Sequence, residues 1–375
     1  MVLPSNDFFY ANANPQAVPL FDDNGRFVAQ DFIVGEPRVR DAGTEVNDEI
    51  PENTAFFGQT VPDTGVDEHR VITTRPSAPD FVRFTPVADG GLGMTAQWAD
   101  DVHHAVRAWL TGERQGWLVD FGSTATLAKV MRSVFEHDGT HSTFRDRSWG
   151  APVPRDTDAR RFVAFGTTHD QVGNRAVGDR PSALLNLDEL AAMHALVLFS
   201  PFTPMLFMGE EWGATTPWQF FTDHQEPELA QAIREGRRRE FADALTDPDA
   251  EVPDPQAPET FERSRLDWSE PTRGDHARLL DWVRTLIRLR RREPDLADHA
   301  LDTLVFEHDE RHEQWIALRR GELQLVIARA DSEPMVGAAT LVHGWNTGQD
   351  SSPEPVSDGR LRMAKGAIAI LRRRS

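Results

Sequence analysis

Phe162-Val163-Ala164-Phe165-Gly166-Thr167-Thr168-His169-Asp170-Gln171-Val172-Gly173-Asn174-Arg175 is an apolar run of strand length that turns abruptly polar. In parallel α/β folds that end of a strand is where catalytic groups gather. Asp170 reads as an ionised carboxylate facing a developing positive charge, with His169 donating hydrogen bonds to substrate hydroxyls. The same pattern also reads as a strand-end aspartate that caps a loop.

Outward from this stretch, Met205-Leu206-Phe207-Met208 is a second buried-strand run, followed by Gly209-Glu210-Glu211-Trp212-Gly213. Glu210 is either a carboxylate partner for Asp170 or a structural acid that anchors its loop by hydrogen bonds. Upstream, Gln97-Trp98-Ala99-Asp100-Asp101-Val102-His103-His104 crowds two acids and two histidines beside an aromatic. It lacks the helical histidine spacing of hydrolytic zinc sites, so hydrogen bonding to substrate is the reading favoured for it. Helical spacing covers His103 to Leu110, Ala125 to Phe135, Leu190 to Phe199, Glu228 to Ala242 and His276 to Arg292, the last ended by Glu293-Pro294. Arg234, Arg237, Arg238 and Arg239 share one of these helices with Glu235 and Glu240, the pattern of a solvated face. Strands alternating with helices predict an α/β region.

The flanks differ. Residues 1 to 75 are short apolar pieces (Phe8-Phe9-Tyr10, Phe27-Val28, Phe32-Ile33-Val34, Phe56-Phe57) between Asn, Asp, Gly and Pro clusters, a strand-and-turn sequence. From Leu301 the chain alternates again (Trp315 to Leu318, Leu323 to Ile327, Ala367 to Leu371), which predicts a small terminal β-domain.

Composition narrows the function. The 375 residues carry 60 acidic and 40 basic side chains, a net charge of −20, which argues against nucleic acid or an anionic membrane as partner. With no cysteine, disulfides, thiolate metal sites and cysteine nucleophiles are excluded. The start, Met1-Val2-Leu3-Pro4-Ser5-Asn6-Asp7, is not a signal peptide and no run reaches membrane-spanning length, so a cytoplasmic protein is expected. Ten Trp and 22 Phe beside one Tyr suit a sugar-binding cleft.

From about Pro79 onward the chain resembles the maltooligosyltrehalose trehalohydrolase family of the alpha-amylase superfamily (glycoside hydrolase family 13). The motifs are GGLGMTAQWADDVHHAV (90 to 106), TGERQGWLVDFG (111 to 122), THDQVGNRAVGDR (168 to 180), PFTPMLFMGEEWGATTPWQFFTDH (201 to 224), GRRREF (236 to 241) and VPDPQAPETFERSRLDW (252 to 268). The resemblance implies a (β/α)8 barrel with a C-terminal β-domain, and hydrolysis of the α-1,4 bond next to the terminal trehalose of maltooligosyl trehalose. It implies Asp170 as transition-state stabiliser and Trp98, Asp101, His103, His104, His169 and Glu210 as substrate-binding residues on an α-glucan, with no cofactor required.

The match is incomplete. The stretch aligned with the family's general acid reads Val71-Ile72-Thr73-Thr74-Arg75-Pro76, without a carboxylate, and no Arg-x-Asp strand end stands upstream for the nucleophile. Only barrel strands six to eight are expected, with an unfilled sheet edge where the others would stand. Residues 3 to about 70 instead resemble part of a bacterial spondin-type domain, through Leu3-Pro4-Ser5-Asn6-Asp7-Phe8-Phe9, Pro19-Leu20-Phe21-Asp22 and Asp41-Ala42-Gly43-Thr44-Glu45. That resemblance implies a calcium site at Asp7, Asp41 and Glu45, whose oxygen ligands suit a hard cation, while the same acids also read as turn carboxylates. The expected organisation is therefore a truncated β segment (1–75), a partial barrel (76–295) and a C-terminal β-domain (296–375). The expected function is a trehalohydrolase with impaired catalysis or, as the alternative, a non-catalytic glucan-binding or calcium-binding chimera.

Overall fold

The computed structural model describes residues 96–241, 252–345 and 358–374 in full, together with the backbone of strands at 2–3, 16–21, 27–33, 40–41, 44–45, 56–58, 71–73 and 354–355. Four strands form a parallel sheet: β1 (Val2–Leu3), β2 (Ala96–Trp98), β3 (Phe162–Phe165) and β4 (Thr203–Met205), in that spatial order. Gln97 pairs with Phe162 and Trp98 with Val163, while Val163, Ala164 and Phe165 pair with Thr203, Pro204 and Met205. The apolar run from Phe162 forms the predicted strand because both faces are covered; Phe162, Ala164 and Phe165 are fully buried. β4 begins two residues and ends three residues earlier than the apolar run Met205 to Met208 suggested. Pro204 is tolerated because β4 lies at the edge among the described strands. After Met205 the chain leaves the sheet and turns, with the Glu210 amide donating to the Phe207 carbonyl at 2.9 Å.

The edge beside β2 is not bare, contrary to the expectation from sequence. Val2 and Leu3 pair in parallel with Ala96 and Gln97. The segment does not continue as barrel strands, however. Gln16–Phe21 pairs antiparallel with Phe27–Ile33, and Val71–Thr73, in the stretch expected to replace the family's general acid, pairs antiparallel with Phe56–Gly58, outside the parallel sheet.

The helices of this region are α1 (Asp100–Thr111), α2 (Thr124–Ser133), α3 (His169–Gly173), α4 (Leu187–Phe199), α5 (Pro227–Glu240) and α6 (Gly274–Arg292). Asn186 caps α4 reciprocally with Glu189, and every residue from Leu190 to Phe199 is buried. The apolar stripe of α6 (Leu279, Trp282, Val283, Leu286) packs against it, and the Trp282 indole donates to the Ala191 carbonyl at 3.0 Å.

A five-stranded antiparallel sheet closes the chain: β5 (Val305–His308), β6 (Trp315–Arg320), β7 (Leu323–Ala328), β8 (Ala339–Trp345) and β9 (Ile368–Arg373), in the order β5-β6-β7-β9-β8. The predicted terminal β-region is there, but it does not stand apart. Ile316, Leu318, Leu325, Ile327, Ile368 and Ile370 share one core with α1, α2, α4 and α6. Two arginines hold this junction. Arg290 donates to the carbonyls of Leu198, Ser200 and Phe202, and buried Arg320 donates to those of Phe199, Ser200 and Asp298. Together they satisfy carbonyls that the end of α4 leaves without helical partners.

The arginine run of α5 is not a uniformly solvated face either. Arg237 is buried, donates to the Gly173 carbonyl at 2.8 Å and lies over the Phe220 and Phe241 rings, while Arg238 and Arg239 are exposed. The helix turns that one position towards the loop after α3, where two aromatic faces and a free carbonyl receive a desolvated guanidinium.

Candidate functional site

The polar ends of β2 and β3 lie side by side, so the residues that follow them meet. Trp98 ends β2, half-buried, with its ring edge-on to Phe165 at 5.5 Å. One turn into α1, His103 stacks on Phe165 with ring centres 5.6 Å apart and an interplanar angle of 23°. Its Nδ1 lies 2.6 Å from the Gly166 carbonyl oxygen. A carbonyl only accepts, so Nδ1 carries the proton. Burial, with the Arg107 charge next, pushes its pKa down to about 3, against the opposing pull of the Gly166 carbonyl and Glu113. His104 is lowered as well, by burial first and then by His103, Arg107 and His137.

Asp170 stands on the first turn of α3. Thr168 caps that turn with Gln171 in a reciprocal box, which fixes the backbone from which His169 and Asp170 project. The Nε2 of exposed His169 lies 3.0 Å from Asp170 Oδ1. Partial burial raises the Asp170 pKa, and His169 opposes the rise. Gln171 also spans the gap between the strands, its Nε2 donating at 3.5 Å to Asp100 Oδ1 while its Oε1 accepts from the Thr168 amide at 2.8 Å. Asp100 is buried with its pKa well above the ordinary value, by desolvation first and then by the charges of Asp101 and Asp170. The surface of the site is thus made of Trp98, His169 and Asp170, above a buried polar floor.

Three residues expected at the substrate lie in that floor instead. Asp101, His103 and His104 are 4 %, 2 % and 5 % exposed. Asp101 accepts a hydrogen bond from the Glu136 amide at 2.7 Å and so ties α1 to the end of α2; burial raises its pKa to about 6, opposed by His137, backbone amides and Lys129. Glu210, 5 % exposed, faces inward too, beneath the Gly166 backbone. Burial takes its pKa up to about 8 despite the Phe207 amide bond and the Arg180 charge, which favour ionisation.

Several residues that matter to this geometry gave no individual signal in the sequence. Arg180 donates to the Met208 carbonyl at 2.8 Å and to the Thr216 carbonyl at 2.6 Å, and lies 5.2 Å from the centre of the Phe207 ring, holding the loop after β4. Glu270 accepts from the Trp212 indole at 3.1 Å and from Thr215. Arg107 pairs with Glu113 at 2.7 Å, and Arg175 with Asp179. Gly178 sits at φ +69°, and its carbonyl accepts from the Trp218 amide at 2.7 Å. A Cβ there would lie 2.3 Å from the Trp218 carbonyl oxygen, so only glycine fits.

Of the expected calcium ligands, Asp7 lies outside the described residues, and Asp41 and Glu45 are described by backbone alone. That backbone pairs Arg40 with Glu45 and Asp41 with Thr44 in an antiparallel ladder. Among the described residues no cluster of three or more acidic or histidine side chains is arranged to hold a metal ion, and no helix is long and apolar enough to cross a membrane.

No protein-family model matches the chain. Individual relatives do. Over 291 residues it is 47% identical to malto-oligosyltrehalose trehalohydrolase of Mycobacterium tuberculosis, covering 77% of this chain and 49% of that one. The enzyme of the same name from Arthrobacter ramosus is 54% identical over 258 residues, covering 68% of this chain and 44% of its own. That from Saccharolobus solfataricus is 35% identical over 277 residues, 74% of this chain and 45% of its own. The chain thus spans about half the length of the curated relatives it matches. A crystal structure of a Salmonella typhimurium protein assigned as an alpha amylase superposes with a TM-score of 0.62 at 32% identity, covering 74% of this chain and 47% of that one. These relatives lend the spondin-type reading of the first 70 residues no support. Through the region they share, this chain belongs to the malto-oligosyltrehalose trehalohydrolase family.

Proposed function

We propose that the chain carries the stabiliser side of a trehalohydrolase site and binds maltooligosyl trehalose, or another α-glucan, over Trp98, His169 and Asp170. The observation that carries this reading is the placement of Asp170, held by the α3 cap at the end of β3 and 3.0 Å from His169, within sequence shared with trehalohydrolases. An oxocarbenium-like centre developing over the cleft meets the Asp170 carboxylate, while the half-buried Trp98 ring offers an apolar face to a sugar. Asp101, His103, His104 and Glu210 contribute from beneath by holding the strand ends. A retaining glycosidase also needs a nucleophile and an acid about 5 to 5.5 Å apart. The stretch that would carry the acid reads Val71-Ile72-Thr73-Thr74-Arg75-Pro76, without a carboxylate, so hydrolysis, the release of trehalose, is expected near background in this chain alone.

The accompanying organisation is a partial barrel (76–295) between a β segment (1–75) and a C-terminal β-domain (296–375), in a cytoplasmic protein without a nucleic-acid or membrane partner. The parallel order β2-β3-β4 and the net charge of −20 support it. The ladder that joins Asp41 to Thr44 and Arg40 to Glu45 keeps a hard-cation site within the reading. Titration with maltotriosyl trehalose tests the assignment: saturable binding weakened by Asp170→Asn supports it, and absence of binding by the folded chain refutes it.

A further inference from the structure

The outward face of α6 carries positive charge that nothing beside it compensates. The buried stripe of the helix, Leu279, Trp282, Val283 and Leu286, faces the core, and on the opposite side Arg284, Arg288, Arg291 and Arg292 are exposed. The spacings i, i+4 and i+7 put Arg284, Arg288 and Arg291 on one line, with Arg292 beside it, over about 12 Å of helix. Arg288 donates to Thr285 Oγ1 at 2.7 Å; among the described residues none of the four meets a carboxylate. Asp281, the one carboxylate on that face of the helix, pairs with none of them, and Glu293, just past the helix end, is taken by Arg372 at 2.6 Å. Arg278, one turn before the patch, is engaged as well, 4.0 Å from the centre of the Trp345 ring.

Like charges one turn apart destabilise a helix, so such a line has a cost. The helix dipole favours arginine in the last turn, which accounts for Arg291 and Arg292 and not for Arg284 and Arg288. A solvated face mixes signs, as around α5, where Arg237 pairs with Glu240 at 3.7 Å and Arg234 with Asp254 at 2.9 Å. In a chain of 60 acidic and 40 basic side chains, four neighbouring arginines without an acid are a concentrated exception.

We propose that the face of α6 from Arg284 to Arg292 docks a short acidic segment of a partner protein, whose Asp and Glu carboxylates pair with the guanidinium forks. Charge complementarity selects this occupant. A nucleic acid or an anionic membrane would extend past the patch into the field of a chain of net charge −20, whereas a segment of a few carboxylates ends where the arginines do.

The test uses the full chain and fluorescein-labelled decaglutamate, followed by anisotropy, with decathymidylate as the competing polyanion. Two variants carry the same change of charge: Arg288→Gln/Arg291→Gln on the proposed face, and Arg238→Gln/Arg239→Gln at exposed positions of α5. Decaglutamate should bind saturably, less tightly as salt rises, and on the order of tenfold less tightly to the α6 variant, with the α5 variant like the parent. Decathymidylate should bind less tightly than decaglutamate. In the parent chain, bound decaglutamate should also shield Arg284, Arg288 and Arg291 from phenylglyoxal, read by peptide mass spectrometry, which decides the proposal even if the α6 variant does not fold. Absence of saturable decaglutamate binding overturns it. So does an equal loss in both variants, which would assign the binding to net charge alone. Decathymidylate binding as tightly as decaglutamate, or shielding of other arginines with these left reactive, likewise overturns it.

Discussion

The imidazole of His103 holds the Gly166 carbonyl at 2.6 Å across two neighbouring strands, so the helix after β2 and the polar turn after β3 move as one piece. The bond is made by a buried neutral ring, which couples it to pH. Unfolded, a histidine takes up a proton near 6.5, but folded His103 resists protonation to about 3. Between those values the unfolded chain binds the extra proton, so stability falls as pH drops from about 6.5 towards 3. Thermal melts between pH 7 and 4 should show that decline, with a shallower slope in His103→Gln. His104 and His194 are shifted in the same direction and keep some slope. An unchanged slope in the variant would disconnect His103 from it.

Glu210 has the opposite sign. Its folded pKa of about 8 lies above the ordinary 4.5, so the folded chain holds the proton more tightly, and stability is lost as pH rises from 4.5 to about 8. Glu210→Gln removes that loss. The variant should match the parent chain near pH 4.5 and exceed it at pH 8 by about 1 to 3 kcal/mol, less than the full shift because the amide is the weaker acceptor. Denaturant unfolding at the two pH values checks this.

Within one helical run the arginines should separate sharply. Arg237→Ala removes a buried guanidinium that bonds the Gly173 carbonyl and covers two aromatic rings, and is expected to cost about 2 to 3 kcal/mol. Arg238→Ala, at an exposed position, should fall within about 0.5 kcal/mol of the parent. Equal effects in denaturant melts would return the run to a solvated face.

Gly178→Ala should displace the segment around Trp218, because its Cβ meets backbone rather than a movable side chain. A loss of about 2 kcal/mol or more is expected from the clash and the positive φ. A melting temperature equal to that of the parent would show that the turn can relax.

How much of this was legible in sequence depended on what kind of force shaped each element. The Phe162 strand was readable to its ends because two-sided burial leaves an unbroken apolar run, while α4 and α6 were readable as helices with the right C-terminal ends but start three and two residues earlier than their apolar positions suggested. The apolar stretch at Met205 misled by two residues at the start of the strand and three at its end. Beyond the strand, Leu206 packs against the main core and the Phe207 ring lies under Arg180, so both are apolar without being in the sheet. Asp170 and His169 were visible as a polar break after a strand. The inward orientation of Asp101, His103 and His104 was not, since partners such as Glu136 and Gly166 are set by tertiary packing, whereas a Glu210 that anchors its own loop was one of the two readings its sequence offered. The role of Arg237 was hidden for the same reason, as helix periodicity alone does not say which neighbour a charged position will meet.

Calorimetry of the purified chain with maltotriosyl trehalose tests the central claim most directly, because a single injection series reports both binding and any continuing hydrolysis. The account predicts a saturable isotherm, weakened by Asp170→Asn, with heat flow returning to baseline after each injection. Sustained heat flow with trehalose accumulating, abolished by Asp170→Asn, would contradict it and require a nucleophile and an acid elsewhere in the chain.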